Sequence, residues 1–214
     1  MRTILFALMA VAVNLPAAAQ IPCRNGEGIG EPAPVAGEPV PGRFHRVPGK
    51  GLACAVSHDE GAAMAEHKKA VTFLPCLKVG AVAIADGIGQ VEELLGEPTQ
   101  ISELDLRTEA RVYPIRQRSI PEPYYVVTFQ DKVAVAIQLI GPPTEMPAML
   151  SDLSLGDPQQ KVLDTLGKPS RRCVLQRKGP ETWMWPSFPI GVDMLDGRVV
   201  GLKATWPAGR PTPN

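Results

Sequence analysis

The stretch that decides the fold occurs twice, as DGIGQVEELLGEP at residues 86–98 and as DPQQKVLDTLGKP at residues 157–169. The two copies align without a gap, and both place apolar residues at helical spacing before a final Gly-x-Pro. Glycine readily adopts the positive φ that ends a helix, and a proline two positions later prevents the helix from continuing. Each stretch therefore predicts a short helix, and the echo predicts two copies of one unit.

The starts of both helices carry capping signals. Asp86 and Asp157 are the predicted N-caps, since a carboxylate can accept hydrogen bonds from the first free N–H groups of a helix. Pro158 suits the first helical position, and Gln160 would complete a capping box.

After each helix the apolar period changes from 3.6 to 2, which predicts antiparallel strands. The strands expected in the first unit are 100–104, 111–115, 124–129 and 133–140, and those in the second are 172–176, 181–185, 191–195 and 198–206. We therefore expect an α+β fold of two tandem helix-plus-antiparallel-sheet units, with the helices on one face of the sheets. The first unit covers residues 77–143 and the second covers residues 150–206, followed by a tail at 207–214.

The first residues predict export. A positive start, an apolar run too short to span a bilayer, and Ala17-Ala18-Ala19 together describe a signal peptide over residues 1–19. An uncleaved anchor and a lipoprotein modified at Cys23 are the alternatives. Gln20-Ile21-Pro22 lacks the small residues that lipid attachment requires, so a periplasmic or secreted protein is favoured. We expect no membrane insertion after signal cleavage.

The next two segments differ in character. Residues 20–50 are rich in proline and glycine without apolar periodicity, which predicts an extended arm. Residues 51–76 form a predicted N-terminal helical segment, with its helix at 57–70. The chain carries 22 basic and 22 acidic residues, so no field of one sign attracts nucleic acid.

Four cysteines and an exported chain predict disulfides. Three pairings are possible. Cys54 with Cys76 is favoured, because one helix between them would bring its ends together, and this leaves Cys23 with Cys173. Free buried thiols are the alternative.

The helix signature ending in Leu-Gly-x-Pro, followed by an aromatic strand and an Asp-[Gly/Lys]-x-Val hairpin, resembles a known repeat. It is similar to the small outer-membrane lipoprotein (SmpA/OmlA) domain and to the secreted β-lactamase inhibitory protein family, in which two such units follow one another. The resemblance covers about residues 77–206. The inhibitor family implies a sheet surface that binds a partner protein, and no contact residues are transferred.

The sequence offers no catalytic motif. The histidines are His45, His58 and His67, and no H-E-x-x-H, G-x-S-x-G or phosphate-binding glycine loop occurs. A metal site on the predicted helix, from His58, Asp59, Glu60 and His67, is less expected than an ordinary solvated face. We therefore expect no cofactor, no metal and no enzymatic activity.

Clustered aromatic residues are the candidates for partner binding, because tyrosine and tryptophan are enriched in interface hot spots. Trp183 and Trp185 share one face of a strand, and a position in the core is favoured over exposure. Tyr124 and Tyr125 are adjacent, so one of them should point outward.

These observations predict an exported, non-enzymatic module that binds another exported or envelope protein through a sheet face. The alternatives are an inhibitor of a secreted or periplasmic hydrolase such as a β-lactamase, and a metal-dependent hydrolase with an unrecognised site.

Overall fold

The computed structural model describes residues 23–34, 37–59, 73–115, 121–142, 147–174, 179–185 and 187–206. Two α-helices lie within them, α1 (Ile88–Leu95) and α2 (Gln159–Leu166), together with a 3₁₀ turn at Leu74–Cys76. The strands are β1 (Cys23–Asn25), β2 (Phe44–Val47), β3 (Gly51–Cys54), β4 (Lys78–Val79), β5 (Val82–Ala83), β6 (Gln100–Asp105), β7 (Thr108–Pro114), β8 (Tyr124–Gln130), β9 (Val133–Ile140), β10 (Arg171–Val174), β11 (Glu181–Met184), β12 (Ile190–Leu195) and β13 (Arg198–Thr205).

Nine of these strands form one antiparallel sheet in the order β1-β10-β11-β12-β13-β9-β8-β7-β6. The remaining four form two small hairpins, β2–β3 and β4–β5. The large sheet therefore consists of two runs of consecutive strands, β6 to β9 and β10 to β13, which meet where β9 pairs with β13. Strand β1 is added at the β10 edge.

The prediction of an α+β fold with two helix-plus-sheet units is wrong, because the structure is mostly β and its main strands belong to a single sheet. Strand β13 pairs with β9 from Gly201 opposite Ile140 to Thr205 opposite Ala136. Separate units would have left both of these strands as edges with unpaired N–H and C=O groups. Joining them satisfies those groups, while each eight-residue helix covers only part of the sheet.

Strand pairing assigns the side chains of the sheet to two faces. Trp183, Val192, Leu202, Leu139 and Tyr125 lie opposite one another across successive strands, so they share one face. All five are buried. We call this the covered face, because both helices and the β4–β5 hairpin add apolar side chains to the same core, among them Leu77, Val79, Val82, Val91, Val162, Leu163 and Leu166.

The helices begin differently from the prediction. Asp86 and Asp157 are not N-caps; each accepts a hydrogen bond at 2.7 Å from the backbone N–H three residues earlier. The N-cap residues are Gly87 and Pro158, without side-chain caps. Carbonyl groups of the hairpin turns cap the helices instead, because the N–H of Ile88 donates to Lys132 and that of Gln159 to Gly197. Thus each helix starts on the turn of the hairpin beneath it.

The helix ends agree with the prediction. Gly96 and Gly167 are the C-cap residues, and both have positive φ, at 82° and 77°. Residues with a Cβ rarely adopt this conformation, which explains why each helix ends with the glycine of a Gly-x-Pro sequence.

The proline- and glycine-rich arm is attached to the sheet at two points. Cys23–Asn25 forms the edge strand β1 beside β10, and Phe44 on β2 is 2% exposed. The Phe44 ring lies 5.3 Å from that of Phe188, in an edge-on arrangement. Scattered apolar residues therefore anchor this region despite its composition.

Both favoured disulfides are present, Cys23–Cys173 and Cys54–Cys76. The predicted signal peptide, most of the predicted helix 57–70 and the tail 207–214 lie outside the described residues. The strand β3 occupies the start of the segment 51–76, where a helical segment was expected. Among the described residues, none of the helices has the length and apolar character needed to cross a membrane.

Candidate functional site

The face of the large sheet opposite the covered face is the candidate site. Its centre consists of Val112, Tyr124, Val126, Thr128, Gln138 and Ile140, which alternate with buried neighbours on β7, β8 and β9. We call these six residues the open face. Each is partly exposed, none is charged, and no described helix packs on them. A rigid, uncharged and partly apolar sheet surface can bind a protein without desolvating charges.

Tyr124 is the aromatic residue of the open face. It lies opposite Pro114 on β7 and Ile140 on β9, with Val126 next to it on the same strand face. Tyrosine offers a partner both a large apolar ring and a hydroxyl group. The prediction that one tyrosine of the adjacent pair points outward is met by Tyr124.

A polar network borders the open face on the neighbouring strands. Asp193 accepts a hydrogen bond at 2.6 Å from the Thr182 hydroxyl and forms a 2.8 Å salt bridge with Lys203. Gly201 opposite Asp193 leaves room for this carboxylate, since a Cβ there would lie 2.6 Å from its Oδ2. The network is internally neutral, so it adds no net charge beside the open face.

The other aromatic candidates lie in the core. Tyr125 is 3% exposed, Trp183 is 1% exposed and Trp185 is 5% exposed. Burial raises the pKa of Tyr125 to about 12. These three residues are therefore not part of the open face, to which Tyr124 belongs.

Two ion clusters lie on the covered face. In the first, Glu181 binds Arg24 at 2.8 Å and Arg172 at 2.6 Å, and accepts the Trp183 indole N–H at 2.9 Å. Burial raises the pKa of Glu181, but the hydrogen bonds from Arg24, Arg172 and Trp183 outweigh it, so the pKa lies below its ordinary value. The carboxylate thus stays ionised inside the fold.

In the second cluster the central charge is positive and its two partners are carboxylates. Arg111 binds Glu92 of α1 at 2.5 Å and Glu109 at 2.8 Å, and its guanidinium lies 5.7 Å from the Phe129 ring centre. Burial lowers the pKa of Arg111, but the hydrogen bond with Glu109 and the charge of that carboxylate outweigh it. In both clusters, opposite charges are paired around one shielded central side chain.

The residues considered for metal binding are not assembled into a site. His58 lies 3.7 Å from Asp59, and both side chains are almost fully exposed. His45 lies on β2, and its buried Nδ1 atom has no hydrogen-bond partner in the part of the chain that the structure describes. Glu60 and His67 lie outside the described residues, among which no group of three or more potential ligands converges.

Sequence reasoning missed Asp193, Lys203 and Glu181. A signal existed for Asp193, since a carboxylate inside the apolar strand Gly191-Val192-Asp193-Met194-Leu195 requires a buried partner. For Glu181 the two arginine partners come from two other strands, β1 and β10, and the sequence alone does not indicate that β1 lies beside β10.

Comparison with known proteins identified no family. No family model matches the chain, and no curated protein matches it. Among solved structures, the chain is similar to a cysteine-rich secretory protein from Staphylococcus aureus, at 12% identity over 57% of this chain and 44% of that one, with a TM-score of 0.38. The same figures apply to an extracellular protein containing a SCP domain from Bacillus anthracis.

A third structure is similar over more of its own length. It is a protein from Streptococcus mutans, provisionally described as a beta-lactamase inhibitor, with 13% identity over 67% of this chain and 93% of that one, and a TM-score of 0.26. The chain spans less than half of the first two structures. With TM-scores this low, these similarities assign no function to the chain.

Proposed function

We propose that this protein is exported and binds another exported or envelope protein through the open face, without a catalytic step. The observation that carries the proposal is the uncharged, partly exposed surface around Tyr124, on a sheet whose other face packs against both helices. Both disulfides suit an oxidising compartment, as does the predicted signal peptide.

The open face has the properties of an interface centre. Tyr124 supplies an aromatic anchor, Val126 and Ile140 supply apolar area, and Thr128 and Gln138 supply hydrogen-bonding groups at its border. These side chains stand on the central strands of the sheet. Strand pairing on both sides holds them in place, so little conformational entropy is lost on binding.

Site-specific photocrosslinking tests the proposal. A benzophenone amino acid replaces Gln138 of the open face or, as the matched control, Glu93 on the exposed side of α1. We expect a discrete crosslinked protein from position 138 and none from position 93. Adding Tyr124→Asp to the Gln138 variant should abolish the adduct, while urea unfolding shows that the variant remains folded.

The same cells test export. Mass spectrometry of the protein from the extracellular or periplasmic fraction should give a chain that begins at Gln20. A cytoplasmic protein that retains residues 1–19 would contradict the export proposal. Equal crosslinking from positions 138 and 93, or none from either, would contradict the binding proposal.

A further inference from the structure

A second surface feature lies on the helix side of the sheet and is separate from the open face. It is a groove of about 570 Å³, bounded by the β2–β3 hairpin, the C-terminal end of α2 and the residues that follow β11. A volume of this size accommodates a small organic molecule. We call it the hairpin groove.

The charges that line the hairpin groove have one sign. Arg46, Lys50 and Lys168 line it, and none of its lining residues is acidic. Within the described residues, Arg46 and Lys50 form no salt bridge, and the Arg46 guanidinium donates to the backbone carbonyls of Asp164 and Ala33. Lys168 pairs with Glu31, whose side chain is 84% exposed and lies outside the lining. The groove therefore favours an anion.

A neighbouring groove shows that this charge pattern is not general. It has a similar volume of about 540 Å³ and is lined by Glu38, Asp152 and Asp164 as well as by Arg43 and Arg46. Its positive charges are thus balanced locally, and Arg43 forms a salt bridge with Asp152. Positive charge without carboxylates distinguishes the hairpin groove.

Trp185 gives an independent indication of a ligand. It lines the hairpin groove and is 5% exposed, and its buried indole Nε1 atom has no hydrogen-bond partner among the described residues. A buried N–H group without an acceptor is costly, and such groups in folded proteins often belong to sites that a ligand or water completes. By contrast, the indole N–H of Trp183 donates to Glu181 at 2.9 Å.

We infer that the hairpin groove binds an organic anion, a carboxylate or a phosphate attached to an apolar group. Lys50 and Lys168 attract the anion, and the indole N–H of Trp185 donates a hydrogen bond to one of its oxygens. The apolar part contacts the remaining lining, which includes Leu52, Leu166 and Phe188. The hydroxyl groups of Ser170 and Ser187 are further donors in the same lining.

Nuclear magnetic resonance of the indole N–H groups tests this inference. The chain has three tryptophans, so three indole signals are expected, and Trp185→Phe identifies the one that belongs to Trp185. The probes are benzoate, phenyl phosphate, inorganic phosphate and the neutral benzyl alcohol. We expect benzoate or phenyl phosphate to shift the Trp185 signal in a saturable way, and the preferred probe distinguishes a carboxylate ligand from a phosphate ligand.

Two lysine variants test the charge requirement. Lys50→Gln removes a cation that lines the groove, and Lys132→Gln removes an exposed cation from the β8–β9 turn with the same change in net charge. We expect Lys50→Gln to weaken binding about fivefold, and Lys132→Gln to leave it unchanged. The inference is overturned if benzyl alcohol shifts the Trp185 signal as strongly as phenyl phosphate. It is also overturned if both lysine variants weaken binding equally, or if no probe shifts that signal at millimolar concentration.

Discussion

The two ends of the covered face carry ion clusters with opposite charge arrangements. On β7, the cation Arg111 lies between the carboxylates Glu92 and Glu109, and on β11 the anion Glu181 lies between Arg24 and Arg172. The central side chains are similarly shielded, at 14% exposed for Arg111 and 15% for Glu181. Each shielded central charge is therefore paired with two opposite charges, whichever sign the central charge has.

The comparison also shows what each cluster attaches. Arg111 connects the sheet to helix α1 through Glu92, whereas Glu181 connects it to the edge strand β1 through Arg24. Strand β1 is further held by the Cys23–Cys173 disulfide, while at the other edge of the sheet β6 and the turn after it expose Ile101, Leu104 and Leu106. One cluster holds a helix on the sheet, and the other closes an edge.

The largest expected effect concerns the closed edge. Replacing Cys23 and Cys173 together by alanine should lower the free energy of unfolding by about 5 kcal/mol, because this bond constrains a long loop in the unfolded chain. The matched control replaces Cys54 and Cys76 by alanine. The bond that it removes closes a loop of sequence separation 22 rather than 150, so we expect a smaller loss of about 3 kcal/mol. Urea unfolding measures both. A larger loss from the shorter loop would show that β1 contributes little to the sheet.

The second prediction compares carboxylates of the two clusters. Glu181→Ala should cost about 3 kcal/mol, because it leaves Arg24, Arg172 and the Trp183 indole N–H without their acceptor. Glu109→Ala should cost about 1 kcal/mol, since Arg111 keeps its contact with Glu92. Chemical unfolding at neutral pH checks both values. Equal losses would mean that the two clusters are energetically equivalent despite their different arrangements.

The third prediction concerns pH. The pKa of Glu181 in the folded protein lies below its ordinary value of 4.5. A depressed carboxyl pKa contributes stability that is fully present above the unfolded value and is lost as the pH falls through the folded value. The stability difference between the wild type and Glu181→Gln should therefore be constant above pH 4.5 and shrink below it. A difference that is unchanged down to pH 3 would contradict the proposed role of the carboxylate.

The sequence predicted some parts of the fold well, because their signals are local. Strands β8, β9, β12 and β13 lie within one residue of the prediction at every end, since apolar residues alternate along them between clear turns. The Gly-x-Pro helix ends were also predicted correctly. The short strands β1 to β5 were missed, because segments of two to four residues between prolines and glycines show no period.

The pairing of β9 with β13 was missed for a different reason. Nothing local distinguishes a strand that ends a sheet from one that continues it, because the pairing depends on which edges meet in space. The same limit applies to the candidate site. Adjacent Tyr124 and Tyr125 had to point to opposite faces, but which of them is exposed depends on the side of the sheet that the helices cover. The burial of Trp183 and Trp185 likewise depends on tertiary packing.

The smallest expected effect separates the aromatic residues beside the two clusters. Trp183 follows Glu181 by two residues and donates a hydrogen bond to it. Tyr113 follows Arg111 by two residues, and within the described residues its buried hydroxyl lies close to the Arg111 guanidinium without a hydrogen bond of normal geometry. Trp183→Phe should cost about 2 kcal/mol through the lost hydrogen bond and lost volume. Tyr113→Phe should change stability by less than about 0.5 kcal/mol, because the buried hydroxyl that it removes makes no hydrogen bond of normal geometry with Arg111. Thermal and urea unfolding of both variants measure the difference. A loss of 1 kcal/mol or more in Tyr113→Phe would show that its hydroxyl group is bound, and that the clusters resemble each other more closely than their charges suggest.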